Sequence, residues 1–173
     1  MRKLTMSELN RPSVETFKSM TKIPVVVVLD NVRSLHNVGS IFRTADAFNV
    51  ESILLCGITA TPPHREIHRS ALGAEESVDW SHADNTADAT RALKKKGYHI
   101  IAIEQTTNSI PLGSFTGDPN RKTALVFGNE INGIADEVLA LANQAIEIPQ
   151  FGTKHSFNVA VTAGIVLWEF RGK

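Results

Sequence analysis

Five polar residues capable of chemistry lie in three short stretches of the sequence. Asn37 and Arg43 belong to "HNVGSIFRTADAF", Glu130 to "FGNE", and Ser156 and Asn158 to "IPQFGTKHSFN". Together they offer a cation, a carboxylate, a hydroxyl and two carboxamides, the groups with which a site grips and orients a polar ligand, and Gly128 lets a backbone approach one closely. Each also has a plainer use. Asn37 and Ser156 suit helix caps, Gly128 a turn, and Glu130 the start of the next helix. Arg43 opposes the apolar stripe Val38, Ile41, Phe42, Ala45 and Phe48, and could simply pair with Asp46, which is worth about a few tenths of a kcal/mol.

Other chemistries lack their residues. No G-x-G-x-x-G follows the first apolar run, and "GNEING" at 128–133 has no Lys-Ser/Thr, so hydride transfer and ATP hydrolysis lose their usual phosphate cradle. His64 and His68 stand four apart, but "HREIH" puts Arg65 where a zinc protease needs glutamate, and no metal site is expected. There is no G-x-S-x-G elbow. Cys56 ends the run "SILLC" without a polar neighbour to activate it, as a buried structural thiol would.

The elements that must position these residues follow from hydrophobic period. "VVVVL" reads as a strand buried on both faces, and further strands are expected at 52–56, 98–104, 123–128 and 144–149. Helices are expected at 12–20, around Ile41, and at 85–97, 133–142 and 156–170, with 57–76 and 105–121 as loops. Alternating strands and helices predict an α/β domain with a mostly parallel sheet covered on both faces. Ligands of such sheets bind beyond the carboxyl ends of the strands, which singles out loops 30–37, 104–108, 128–133 and 149–155.

A chain of 173 residues, 42% hydrophobic and 21% charged, supports one core: a short extension over 1–22, partly helical, then a single domain over 23–173. The N-terminus lacks the apolar stretch of a signal peptide and no run is long enough for a membrane span, so a cytoplasmic protein is expected. Eighteen basic residues against 18 acidic ones create no overall field for a polyanion. A nucleic-acid partner would have to be held by local patches, such as His64, Arg65 and Arg69, or Lys154 with His155. Lys94 to Lys96 instead close a helix, where its dipole favours cations.

The segments "NVRSLHNVGSIFRTADAF", "LVFGNEINGI" and "IEIPQFGTKHSFNVAVTAGIVLWE" resemble the three motifs of the SpoU/TrmH-type branch of the SPOUT RNA methyltransferases, in the same order. The resemblance runs from Val25 to Phe170. It implies a Rossmann-like sheet whose C-terminal part forms a trefoil knot, an exception to the rule against knots. It further implies S-adenosylmethionine as methyl donor without a metal, a homodimer, and a 2′-O-methylated ribose in tRNA or rRNA. Gln150, Phe157 and Ala160 depart from the residues that resemblance leads one to expect, and Asn49 stands where Gly often ends the first helix.

By the same resemblance Arg43, Asn37, Glu130, Ser156 and Asn158 are the catalytic set. Glu104, Gln105, Gly128, Asn129, Ile148 and Phe157 are the cofactor contacts, and Arg33, His64, Arg65, Arg69 and Lys154 are the RNA contacts. Arg43 would act on the 2′-hydroxyl either as a general base or as a charge stabilising the developing alkoxide; guanidinium chemistry makes the second the easier role. The alternative to an enzyme is a non-catalytic RNA-binding module of the same fold.

Overall fold

The computed structural model of the chain describes residues 1–118 and 120–172. Pro119, within the expected 105–121 loop, and Lys173, the end of the domain expected over 23–173, lie outside the described residues. Strand β1 (Ile23–Asp30) runs through the middle of the sheet, and Val25 to Asp30 are all buried. Its side chains alternate between faces, as the pleat requires: Val25, Val27 and Leu29 join one apolar cluster, Val26 and Val28 another.

The other strands are β2 (Val50–Cys56), β3 (Trp80–Ala83), β4 (His99–Ile103), β5 (Ile110–Pro111), β6 (Thr123–Phe127) and β7 (Gln144–Glu147). All pair in parallel, in the order β3-β2-β1-β6-β4-β7-β5. The chain first builds outward from β1 to β3, then crosses to the far side for β4 and β5. It returns to insert β6 between β1 and β4, and β7 between β4 and β5.

The larger cluster is covered by α1 (Val14–Ser19), α2 (Leu35–Phe48), α3 (Arg65–Ala71), α4 (Ala74–Ser77) and α7 (Val159–Gly172). The smaller is covered by α5 (Thr86–Lys95) and α6 (Asp136–Leu139). This is the expected α/β sheet with helices on both faces. The stripe Val38, Ile41, Phe42 and Ala45 of α2 is fully buried, and Asn49 ends that helix in the left-handed conformation, at φ 54°. Cys56 is buried at the end of β2, and burial pushes its thiol up to about 12, far from a nucleophile's range.

Several expected boundaries change. The 57–76 segment holds α3 and α4, each too short to show a helical period: α3 buries Ile67 and Ala71 and is capped by the ring of His64, whose Nδ1 accepts from the Glu66 N–H at 3.2 Å. Among its described residues the 105–121 segment holds β5 and a 3-10 turn, and β3 is a four-residue edge strand with polar Ser81 and His82. The helix expected over 133–142 shrinks to α6, which has no capping side chain. The terminal helix begins at Val159 rather than at 156.

Gly39 lies where α2 crosses α3. A Cβ there would stand 2.0 Å from Ser70 Oγ and 2.4 Å from the Ile67 carbonyl oxygen, and the latter is backbone that cannot swing aside. Alanine gains about 1 kcal/mol of helix propensity but overpacks the crossing at a cost of about 1–3 kcal/mol. Gly39→Ala is therefore expected to destabilise the protein on balance, seen in calorimetry as a Tm lowered by a few degrees.

Candidate active site

Strands β1, β6, β4 and β7 are adjacent and parallel, so the loops after them open on one edge of the sheet. They are the four loops singled out by sequence. Three of them, after β4, β6 and β7, enclose a cleft of about 680 Å³ together with the start of α7. Its lining includes all six expected cofactor contacts: Glu104, Gln105, Gly128, Asn129, Ile148 and Phe157.

The loop after β6 is folded back tightly. Asn129 and Gly133 exchange backbone hydrogen bonds at 2.9 and 3.0 Å, and a Cβ on Gly128 would stand 2.2 Å from the Gly133 carbonyl carbon. Glycine is required there by this close approach. The Asn129 side chain is consumed in holding the turn. Its Oδ1 accepts from the N–H groups of Ile131 (2.9 Å) and Asn132 (3.2 Å), and its Nδ2 donates to the Asn31 carbonyl at 2.7 Å. Glu104 braces the same loop by accepting from the Ile134 N–H at 3.1 Å. Gln105 Nε2 donates to the His155 carbonyl at 2.9 Å, joining the loops after β4 and β7.

Glu130 projects from this loop to the start of α2. Its carboxylate accepts from the N–H of Arg33, the N–H of Ser34 and Asn37 Nδ2, each at 3.0 Å. Asn37 Oδ1 in turn accepts from Asn158 Nδ2 at 3.0 Å, and Asn158 Oδ1 accepts from the Ala160 N–H at 2.9 Å, capping α7. One chain of hydrogen bonds thus fastens the loop after β6, α2 and α7 together. Burial pushes the Glu130 carboxyl up, but the donors from Arg33, its own N–H, Asn37 and Ser34 outweigh it and hold the group below its ordinary value.

The structure corrects the plainer uses considered for these residues. The N-cap of α2 is Ser34, whose Oγ accepts from the Asn37 N–H at 3.3 Å, so the Asn37 side chain is free to bridge Glu130 and Asn158. Glu130 does not open its own helix, since α6 begins at Asp136; its negative charge sits instead at the N-terminus of α2. Asn158, not Ser156, caps α7, and Ser156 lines the cleft. Asp46 takes a hydrogen bond from Ser77 Oγ at 2.5 Å, and no ion pair with Arg43 forms.

Glu130, Ser156 and Asn158 therefore line the cleft, with the 6%-exposed Asn37 behind them. Arg43 is not in that cleft. Six residues of helix separate it from Asn37, about 9 Å of rise and about 240° of turn, so it faces another way. It borders a shallow apolar hollow formed with Ala47, Phe48, Ile165 and Trp168. Arg33, His64, Arg65, Arg69 and Lys154 are all exposed. Arg33 is beside Glu130 through its N–H, whereas His64, Arg65 and Arg69 belong to α3 and its cap and do not line the cleft.

Sequence reasoning missed Asp30 and Gln150. Asp30 is 1% exposed at the end of β1 and accepts from Thr86 Oγ1 (2.5 Å), Asn31 Nδ2 (2.8 Å) and the Ala135 N–H (2.9 Å), anchoring the far end of the loop that carries Glu130. A carboxylate ending an otherwise apolar strand is the signal that could have found it. Gln150 lines the cleft and donates to the His155 carbonyl at 3.3 Å.

Comparison with known proteins covers the same elements. The chain is 31% identical over 157 residues to the 23S rRNA (guanosine-2'-O-)-methyltransferase RlmB of Neisseria meningitidis serogroup B, covering 91% of this chain and 62% of that one. It is 33% identical over 148 residues to the tRNA (guanosine(18)-2'-O)-methyltransferase of Escherichia coli K12, covering 84% and 62%. The chain thus spans less than two thirds of the length of either relative. The AdoMet-bound rRNA methyltransferase of Sinorhizobium meliloti superposes with a TM-score of 0.80 at 30% identity, over 90% of this chain and 59% of that one. The model of the SpoU rRNA Methylase family matches residues 24–168, a span that takes in the seven described strands except Ile23 and the whole Glu130–Asn37–Asn158 chain, and the protein belongs to that family.

Proposed function

We propose that the protein transfers the methyl group of S-adenosylmethionine to a ribose 2′-hydroxyl of tRNA or rRNA, in the cytoplasm and as a homodimer. The observation that carries this reading is the Glu130–Asn37–Asn158 chain standing at the rim of a glycine-turned cleft. The relatives named as 2′-O-methyltransferases, and the AdoMet-bound structure that superposes on this chain, support it. No helix among the described residues is long and apolar enough to cross a membrane.

The cleft suits the donor. The fold of the loop at Gly128 and Gly133 brings backbone to its edge, and Glu104, Gln105, Ile148 and Phe157, which line it, would hold the molecule. When bound, the donor supplies a methyl carbon already activated by its sulfonium, so the protein's task is to place a hydroxyl oxygen in line and ease loss of its proton. Ser156 and Asn158 orient the ribose at the cleft. Glu130, held ionised by four N–H donors, fixes Asn37 and through it Asn158. Arg43 acts as a permanent cation beside the oxygen as it becomes an alkoxide, while the proton leaves to water.

Arg43 lies outside its own chain's cleft, and the dimer resolves this. Arg43 borders an apolar hollow where Trp168 is 70% exposed. A second copy covering that face buries Trp168 and delivers each Arg43 to the partner's cleft. The trefoil knot of the C-terminal part belongs to the same reading and rests on the family resemblance.

The test is transfer of labelled methyl from S-adenosylmethionine to total RNA of cells lacking the gene, followed by digestion to nucleosides. Label on ribose is expected. Label on a base, or donor binding without any transfer, overturns the reading, the latter in favour of a non-catalytic RNA-binding module.

A further inference from the structure

Phe151 is 98% exposed at the tip of the loop after β7, an unusual position for an aromatic side chain. The base of that loop is fixed, since Gln105 Nε2 and Gln150 Nε2 both donate to the His155 carbonyl. Gln150 and His155, on either side of the tip, line the cleft, and Phe151 itself does not. Exposed Lys154 follows three residues later in the same loop. An exposed aromatic face on a loop that lines a cleft, with a lysine in the same loop, matches how proteins hold unpaired nucleotides.

We propose that Phe151 stacks on the base of the nucleotide whose ribose enters the cleft. This rests on the reading of the cleft as a ribose methylation site. A ribose inserted between the loops after β6 and β7 takes its base out of the RNA stack. Phe151 then supplies the lost stacking surface, and Lys154 the charge for the adjoining phosphate. Such a contact is tolerant of sequence, because every base has a π-face. A nucleobase is favoured over a second copy of the chain as the occupant because the neighbours of Phe151 are Gln150, Thr153, Lys154 and His155. The dry surface suited to another copy lies instead at Phe48, Ile165 and Trp168.

The experiment compares wild type with Phe151→Ala, Phe151→Leu and Phe151→Trp, measuring initial rates against total RNA from cells lacking the gene, filter binding of that RNA, donor affinity by calorimetry, and sedimentation. The alanine variant is expected to raise the KM for RNA about 10-fold or more, from the usual worth of one stacked base, with kcat and donor affinity unchanged. Tryptophan should preserve the wild-type KM and leucine should not. An unchanged KM in Phe151→Ala, or full function in Phe151→Leu, overturns stacking. Weakened self-association in Phe151→Ala assigns the residue to a second copy and overturns it equally. If wild type methylates no ribose, the function reading fails by itself, and unaltered filter binding of Phe151→Ala then removes the stacking proposal as well.

Discussion

Arg43→Ala is expected to lower kcat for methyl transfer by about 10²- to 10³-fold, the usual cost of removing one donor aimed at a developing oxyanion. Donor affinity and Tm should hardly move, since Arg43 is exposed and makes no hydrogen bond or ion pair among the described residues. Arg43→Lys restores charge without the planar fork of donors, and should recover a part of the rate. Single-turnover kinetics checks this, because it separates the chemical step from RNA binding. A further outcome follows from Arg43 lying outside its own cleft. Mixing Arg43→Ala subunits with subunits damaged in the cleft should regain activity, as each mixed dimer then holds one intact pair of parts. Wild-type kinetics in Arg43→Ala would remove Arg43 from the mechanism.

Gly128→Ala is expected to weaken binding of S-adenosylmethionine by about 10- to 100-fold, the affinity equivalent of the ~1–3 kcal/mol that overpacking costs. The added Cβ meets the Gly133 carbonyl carbon at 2.2 Å and the Ile134 nitrogen at 2.4 Å. Both are backbone, so the turn has to open. Opening it disturbs the Asn129–Gly133 pairing and moves Glu130, which sits between those residues, away from Arg33, Ser34 and Asn37. Calorimetric titration with the donor reads the effect directly. Gly113→Ala is the matched control, because its Cβ would meet nothing within 4 Å, and its affinity should equal wild type.

Much of the sheet and of the site is legible in the residues themselves. "VVVVL" declares a strand buried on both faces, and the rule for parallel sheets picks out the four loops that share one edge. The resemblance then groups Arg43, Asn37, Glu130, Ser156 and Asn158, of which Glu130, Asn37 and Asn158 are hydrogen-bonded in series. What the residue pattern hides depends on contacts distant in sequence. Asn37 looks like a cap because carboxamides at helix starts usually are, and its true partners lie 93 and 121 residues away. Asp30 gives no period or motif, although it holds the loop after β6 through Ala135. Short elements such as α3, α4 and β5 carry too few residues for a pattern to register. The separation of Arg43 from the cleft is invisible to spacing alone, which records distance along a helix but not which face meets a partner.

The order in which the strands are laid down has a consequence for how the molecule comes into being. β6 and β7 occupy places between strands made earlier, so during synthesis β1 and β4 have no neighbour on the sides that will flank β6 until residue 127 has emerged. Until then the nascent sheet carries unpaired inner edges, which are templates for wrong pairing, and its central contacts must wait for remote sequence. Slow, late-closing folding is the expected kinetic signature, with protection of β1 amides from hydrogen exchange appearing together with that of β6. The cleft lies among the ends of those same late strands, so a ribosome-bound fragment stopped short of β6 has no cleft at all.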